Sequence, residues 1–295
     1  MRYAAIVFAL ISAHLARAAA PVVEGDVDPV KLLAWVQAQK AIAANVKLTA
    51  SQGFCLKCSD ANSQYTGEKP TVPLYQVGTT STGATFFEAD MDVDCDGSKT
   101  GPCNVSNDPS HQPQLSCGCN ADAGKVAFFV IPLGNRFNAG SRGIALGSVA
   151  ACIFKDPKTG VVGLIYGPWL DEDGVSQEIG EASAYMAQQL GVDPNPETGG
   201  SATGNTYIVF PGSAAKLTGD DRMDHAKAVA AGVAAAKHLL ADFPVAPTGI
   251  AAAPGASMGD RPYFLRTGKV HMHAAGRKPA SVFNVDGSVL KIFAP

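Results

Sequence analysis

The sequence predicts an α+β protein with a mainly antiparallel β core, closed like a barrel, and a few peripheral helices. Short apolar runs separated by Gly, Pro and Asn fill the middle of the chain, and such runs are typical of strands. Three stretches show apolar residues at helical spacing. Six of the seven cysteines lie between residues 55 and 119. We therefore expect disulfides to staple the N-terminal half of the chain.

The first 20 residues are predicted to be a secretory signal peptide. Arg2 precedes an apolar run too short to cross a bilayer, and Ala16-Arg17-Ala18 offers small residues at the cleavage positions. Beyond 1–20 we expect an N-terminal helix with a Cys-containing segment (21–69), a main domain (70–245), and a tail packed on or extending that domain (246–295). The protein is therefore predicted to be secreted and monomeric.

The order of elements follows from apolar spacing and from the residues that interrupt it. Gly191 is a fitting stop for the second predicted helix, and Pro244 follows the third. The predicted helices cover residues 29–45, 181–190 and 222–241. The predicted strands cover residues 126–131, 143–154, 161–166 and 207–210, with further strands in the tail at 269–273, 281–285 and 289–293.

The charge balance is slightly acidic, with 26 Asp and Glu residues against 23 Lys and Arg residues. A nucleic-acid partner would need a basic face, so we expect none. No stretch after the first 20 residues reaches the roughly 20 apolar residues that a membrane span needs. An acidic protein is compatible with a cationic ligand.

The stretch Phe86–Gly97 alternates apolar and acidic residues and is predicted to be an extended strand. Because side chains alternate along a strand, Asp90, Asp92, Asp94 and Asp96 share one face and Phe87, Ala89, Met91, Val93 and Cys95 share the other. Carboxylates in line repel one another, so a positive partner is expected. That partner is a metal, a Lys or Arg side chain, or a cationic substrate, and in the last case Asp90, Asp92 and Asp94 are the candidates for binding it.

Calcium is the alternative partner for this row of aspartates. Asp92, Asp94 and Asp96, followed by Gly97, copy the opening of an EF-hand loop. Cys103 stands where that loop has its bidentate Glu, so the match is incomplete. We therefore expect no metal and no cofactor.

A second acidic cluster follows the predicted strand 161–166. It comprises Asp171, Glu172 and Asp173, with Glu181 ten residues after Asp171. Glycoside hydrolysis commonly uses two carboxyl groups, one protonated and one ionised. Tyr166 and Trp169 are candidates for stacking on sugar rings. The ordinary explanation is that acidic loops are solvated and that a Trp beside a strand belongs to the core.

The cysteine spacing leaves two interpretations open. Cys55-x-x-Cys58 and Cys117-x-Cys119 could ligate zinc, although secretion favours disulfides, whose pairing the spacing does not reveal. Cys152 lies in an apolar run and is predicted to be the free, buried cysteine. Asn104-Val105-Ser106 is a glycosylation sequon in the Cys-rich segment.

Several blocks together resemble the fungal chitosanases of glycoside hydrolase family 75. The resemblance covers about residues 70 to 240, and its specific parts are Asp-Met-Asp-Val-Asp-Cys-Asp-Gly at 90–97 and Ile-Gly-Glu-Ala-Ser at 179–183. Other matching blocks are Val130-Ile131-Pro132, Gly147-Ser148-Val149-Ala150 and Tyr207-Ile208-Val209-Phe210-Pro211-Gly212-Ser213. The resemblance implies endo-hydrolysis of a β-1,4-linked glucosamine polymer, with inversion, by one Asp and one Glu.

The resemblance also implies which residues carry the reaction. Glu181 corresponds to the family Glu and Asp171 to the family Asp, with Asp173 as the alternative. A helix start at Glu181 would favour an ionised base, whereas the resemblance implies that Glu181 is the proton donor, and we follow the resemblance. The alternatives are a non-catalytic secreted protein that binds calcium or a polycation, and a related endo-glucanase.

Overall fold

The structure is a computed structural model that describes most of the chain in separate segments. These are residues 20–42, 46–48, 57–58, 72–78, 83–105, 112–132, 139–173, 178–241 and 243, and four short strands after residue 262. Two compact units are distinguished, Met1–Phe243 and Pro244–Pro295. The predicted signal peptide, except Ala20, lies outside the described residues, as do Cys55 and the side chain of Cys58.

Six strands of the first unit form a closed barrel. Strands β4, β10, β6, β7, β5 and β9 pair in that order, and β9 pairs back onto β4. The pairings β5–β7 and β4–β9 are parallel and the other four are antiparallel. The predicted barrel-like core is therefore confirmed. The strands of this unit are β1 (Val46–Leu48), β2 (Lys57–Cys58), β3 (Leu74–Val77), β4 (Ala84–Asp94), β5 (Phe129–Pro132), β6 (Val149–Lys155), β7 (Val162–Asp173), β8 (Glu178–Ile179), β9 (Glu181–Ser183) and β10 (Ser201–Val209).

The barrel interior is filled by one face of each strand. On β4 the predicted apolar face is confirmed, since Phe87, Ala89, Met91, Val93 and Cys95 all belong to one buried cluster. The Phe87 ring stacks on Tyr207 of β10 at 4.9 Å between ring centroids. The alternation predicted for this strand therefore determines which of its side chains form the core.

Two helices cover the outer face of part of the barrel. Helices α1 (Pro29–Lys40) and α3 (His225–Ala241) form a second buried cluster with outward-facing residues of the barrel strands. Trp35 of α1 meets Phe86 of β4 edge to face at 5.3 Å between ring centroids. The barrel wall is thus buried on both sides where the helices lie against it.

Helix α1 begins at Pro29 as predicted but ends at Lys40, short of the predicted residue 45, and the other two helices begin later than predicted. Helix α2 covers Ala184–Leu190, because residues 181–183 pair with β4 and β5 as strand β9. Its end agrees with the prediction, since Gly191 adopts a left-handed φ of 78°. Residues 219–223 form a 3-10 turn, so α3 starts at His225 rather than Arg222. Glu181 therefore lies on a strand and not in the first turn of a helix.

The second unit consists of a four-stranded antiparallel sheet with sequential strand order. Its strands are β11 (Tyr263–Phe264), β12 (Val270–His271), β13 (Ser281–Phe283) and β14 (Val289–Ile292). The last three fall within the predicted tail strands. Within the described part of both units, no helix has the length and apolar character that a membrane crossing requires.

Among the cysteines whose side chains the structure describes, four form disulfides, Cys95–Cys103 and Cys117–Cys119. Cys152 is free and buried on β6, which confirms its predicted state. Burial raises the pKa of its thiol far above the ordinary range, so the group stays protonated. The zinc alternative does not apply to Cys117 and Cys119, because a disulfide leaves no thiolate for a metal.

Candidate active site

One lateral row of residues crosses four neighbouring strands of the barrel. Asp92 of β4 pairs with Glu181 of β9, Glu181 pairs with Val130 of β5, and Val130 pairs with Asp171 of β7. Residues paired across strands project from the same face of a sheet. Val93 and Ala182 of the next row belong to the buried cluster that fills the barrel, and Val130 is itself buried in that cluster. Because strand side chains alternate, Asp92, Glu181 and Asp171 are placed on the opposite, outer face.

A β-bulge on β7 explains why Asp171 joins this row. Phe129 pairs with Trp169 and the next residue, Val130, pairs with Asp171, so Leu170 is an extra residue in β7. Both Trp169 and Leu170 belong to the interior cluster. Without the extra residue, Asp171 would point inward like Trp169, because strand side chains alternate.

The two candidate catalytic carboxylates lie on strands β7 and β9, which are separated by one strand, β5. Adjacent strands lie ~4.8 Å apart, so the Cα atoms of Asp171 and Glu181 are separated by about 10 Å across Val130. Asp171 is buried, at 5% exposure, and Glu181 is partly exposed. The structure thus places the two predicted residues in one lateral row, with Val130 of β5 between them.

Gly180 sets the position of Glu181. It has a φ of +114°, and a Cβ added there would lie 2.4 Å from Oδ1 of Asp90. Its carbonyl accepts a hydrogen bond from the Asp92 N–H at 2.8 Å. Only glycine meets both constraints, so β9 can lie directly against β4 at the residue before Glu181.

The residues after Glu181 continue this close packing. Ala182 is fully buried between Val93 and Phe129, where a larger side chain would overfill the barrel. The Ser183 hydroxyl accepts hydrogen bonds from the N–H groups of Phe128 and Met186, both at 3.2 Å. The Ile-Gly-Glu-Ala-Ser block therefore presents one carboxylate outward while its other residues join β4, β5 and α2.

Asp171 accepts three hydrogen bonds on a single oxygen, Oδ1. The donors are the Ser116 N–H at 2.9 Å, the Ser116 hydroxyl at 2.5 Å and the Glu172 N–H at 2.8 Å. Trp169 donates its indole N–H to the Asp171 carbonyl at 2.6 Å. These contacts hold the Asp171 carboxylate in one orientation.

Asp94 and Asp96 of the aspartate row lie close to the Asp171 carboxylate. Carboxylate oxygens of Asp94, Asp96 and Asp171 lie within 4.8 Å of one another. Oδ1 of Asp94 accepts from the Asp96 N–H at 2.6 Å, which holds the turn after β4. These are oxygen ligands of the kind that calcium takes, and they equally suit an ammonium group. The EF-hand alternative proposed Asp92, Asp94 and Asp96 as ligands. The cluster in the structure instead contains Asp94, Asp96 and Asp171.

Glu172 is a further carboxyl group beside Asp171. Burial raises its pKa, and the negative charge of Asp171 adds to that shift. The side chain of Asp173, the alternative to Asp171, lies outside the described residues.

Four of the five predicted substrate-binding residues are buried, namely Asp90, Asp94, Tyr166 and Trp169. Tyr166 is fully buried, and its ring occupies the space over Gly232 of α3, so it cannot stack on a sugar. Trp169 faces the barrel interior. Both carboxylate oxygens of Asp90 are shielded from solvent. Asp90, Asp92 and Asp94 all alternate onto the outer face of β4, and of these Asp92 is the partly exposed one. Burial argues against the predicted stacking roles of Tyr166 and Trp169.

Ser116 is the site residue that sequence reasoning missed. It is exposed in a Cys-rich loop, 55 residues before Asp171. Its position next to Cys117 was the available signal, because a disulfide-held loop beside acidic strands can supply hydrogen-bond donors.

Comparisons with known proteins point to one family. The family described as fungal chitosanase of glycosyl hydrolase group 75 matches residues 91–239, which include the whole outward row. Endo-chitosanase C of Aspergillus oryzae is 33% identical over 189 residues, covering 59% of this chain and 46% of that protein. Endo-chitosanase C of another Aspergillus oryzae strain is 34% identical over 190 residues, with the same coverage. The chain therefore spans about half the length of the curated relatives it matches.

Proposed function

Since the chain belongs to the fungal chitosanase family, group 75 of the glycosyl hydrolases, we propose that it is a secreted endo-chitosanase. It would hydrolyse the β-1,4 linkages of a glucosamine polymer with inversion at the anomeric carbon. The observation that carries this proposal is the outward row in which Asp171 and Glu181 stand on either side of Val130.

The separation of the two carboxylates supports inversion. Inverting enzymes hold their carboxyl groups about 6.5–9.5 Å apart, because a water molecule must fit between the base and the sugar. Retaining enzymes hold their carboxyl groups about 5–5.5 Å apart. That distance is close to the ~4.8 Å spacing of adjacent strands. Cα atoms about 10 Å apart, on side chains that share one face, suit the first arrangement.

We assign Asp171 as the general base and Glu181 as the general acid. Three hydrogen bonds hold Oδ1 of Asp171, and as general base this carboxylate would take a proton from the attacking water. Glu181 would give its proton to the leaving glycosidic oxygen. The argument that a helix start keeps Glu181 ionised does not apply, because the helix begins after Ser183.

The aspartates beside this pair support a cationic substrate. Asp92 and Asp94 share the outer face with the pair, and Asp94 and Asp96 lie close to Asp171. Each ammonium group of a glucosamine polymer would offset the mutual repulsion of these carboxylates. A neutral glucan offers no such charge, so we place the endo-glucanase alternative second.

The first test compares polysaccharides and two substitutions. We expect release of reducing ends from chitosan, and little or none from chitin or cellulose. Asp171→Asn and Glu181→Gln should each lower kcat by about 10²–10⁴-fold with unchanged Tm, since each removes one proton-transfer group. Asp220→Asn, an exposed carboxylate of the 3-10 turn at 219–223, is the matched control. Full activity in either site variant would remove that residue from the mechanism.

The calcium alternative is separated in the same experiment. The cluster of Asp94, Asp96 and Asp171 is the observation that favours it. If these oxygens serve a cationic substrate, EDTA leaves kcat unchanged and added calcium leaves Tm unchanged. A calcium-dependent rise in Tm, together with no turnover of any glycan, would support the non-catalytic binder instead.

A further inference from the structure

A loop carries Ser116 to Asp171, and several contacts hold that loop in place. At its start, the Gln112 N–H donates to Oδ1 of Asp96 at 2.6 Å, and the Gln112 carbonyl accepts from the Gly97 N–H at 2.9 Å. At its end, Cys117 donates its N–H to the Leu170 carbonyl at 3.0 Å. These contacts tie the loop to the turn after β4 and to the bulge of β7.

Two further features stiffen the same loop. Leu115 is buried, with its side chain over Gly97, where an added Cβ would meet it at 2.7 Å. The Cys117–Cys119 disulfide closes the chain directly after Ser116, and Arg222 donates to the Cys117 carbonyl at 3.3 Å. Ser116 thus lies between the buried Leu115 and the disulfide-bonded Cys117.

We propose that Ser116 is a positioning residue for Asp171, an inference that rests on the proposed function of that carboxylate. The Ser116 N–H and hydroxyl hold Oδ1, so Oδ2 is the oxygen that takes the proton from water. Rotation about the last side-chain bond of an Asp is broad and roughly two-fold, so the chain alone does not select one oxygen. Two donors on one rigid loop select it.

Charge provides the second reason. Asp94 and Asp96 bring carboxylate oxygens within 4.8 Å of an Asp171 oxygen, and like charges at that distance push the side chain away. Charge-assisted hydrogen bonds from Ser116 are stronger than neutral ones and hold the carboxylate against that repulsion. Displacement of a reacting group by about 1 Å can cost about 10²-fold in rate.

The kinetic test uses three serine variants. Ser116→Ala removes the hydroxyl, and we expect kcat on chitosan to fall about 10–100-fold while KM changes by less than about three-fold. Ser116→Thr keeps a hydroxyl and should recover most of kcat. Ser213→Ala, an exposed serine in another 3-10 turn, is the control and should behave as wild type. Wild-type kcat in Ser116→Ala, or equal losses in the Ala and Thr variants, would overturn the proposal.

A second measurement does not depend on turnover. Amide hydrogen exchange at Ser116 reports its N–H bond to Oδ1 of Asp171, whereas the Glu172 N–H also donates to the Ser116 hydroxyl at 3.2 Å. In Asp171→Ala the Ser116 amide should exchange at least about 10-fold faster while β6 amides keep their protection. Unchanged exchange at Ser116 would overturn the proposal. An inactive wild type whose Ser116 amide responds in this way would contradict the proposed function and still support the pairing.

Discussion

Gly180 shows how one backbone position places a reacting group. Its positive φ and the Asp90 oxygen against it exclude a side chain, and the following residue is Glu181. A Cβ at this position would have to displace the buried Asp90 carboxylate or move β9 away from β4. Because β9 is only three residues long, such a shift would be felt at Glu181.

Gly180→Ala should therefore reduce both stability and activity. Positive φ alone costs of order 1–3 kcal/mol for a residue with a Cβ, and the contact with Asp90 adds to that. We expect a loss of at least about 3 kcal/mol in urea unfolding and a lower kcat. Gly219→Ala is the control, because Gly219 has a φ of +54° and nothing within 4 Å of an added Cβ. Equal losses in the two variants would show that the Asp90 contact is unimportant.

At the scale of elements, the junction between β9 and α2 joins the site to the core. Ser183 is the last residue of β9 and the N-cap of α2, and its hydroxyl also accepts from the Phe128 N–H just before β5. The Ser183 N–H donates to the Phe128 carbonyl at 3.0 Å. One fully buried side chain therefore connects three elements around Glu181.

Ser183→Ala should cost more than an ordinary helix cap. It leaves the N–H groups of Phe128 and Met186 without their acceptor in a buried place, so we expect a loss of about 2–4 kcal/mol in the free energy of unfolding. Asp28→Ala removes the exposed cap of α1, which accepts from one N–H only, and should cost about 0.5–1 kcal/mol. Chemical denaturation of both variants measures the difference. A similar loss of stability in both variants would mean that the hydrogen bond from the Phe128 N–H to the Ser183 hydroxyl contributes nothing.

At the scale of the first unit, Glu24 connects the N-terminal segment to the barrel and to α3. Its carboxylate accepts from the Tyr166 N–H of β7 at 2.9 Å and meets Nε2 of His225 at 2.5 Å. Val23 forms a parallel bridge with Leu164, which adds this segment beside β7. The hydrogen bond to Glu24 raises the pKa of His225, and the nearby Asp224 charge acts in the same direction.

This contact predicts a pH-dependent contribution to stability. A raised folded pKa means that the contribution is complete below the ordinary His value of 6.5 and is lost as pH rises through the folded value. The Tm difference between wild type and His225→Gln should therefore be largest near pH 6 and shrink as the pH rises above the ordinary His value of 6.5. His238→Gln, a substitution in the last turn of the same helix, is the control. A difference that stays constant over this range would contradict the assignment.

Much of the fold could be predicted because it depends on local periodicity. The alternation after Phe86 identified the strand whose one face fills the barrel, and the apolar run around Cys152 identified a buried, unpaired thiol. The choice of Asp171 and Glu181 came from a family resemblance, and their catalytic roles stay predictions. Burial argues against the stacking roles of Tyr166 and Trp169, because exposure depends on which element covers a strand, and α3 covers Tyr166.

The sequence by itself determined the β-rich class, the inner face of β4 and the two acidic blocks, since each follows from spacing along the chain. Only the tertiary structure decided that these blocks meet. The Leu170 bulge turns Asp171 outward, and Gly180 lets β9 close the barrel beside β4. Both depend on which strands become neighbours, as does the contact of Ser116 with a residue 55 positions away. Strand pairing between distant segments is a property of the whole packed barrel, so no local pattern contains it.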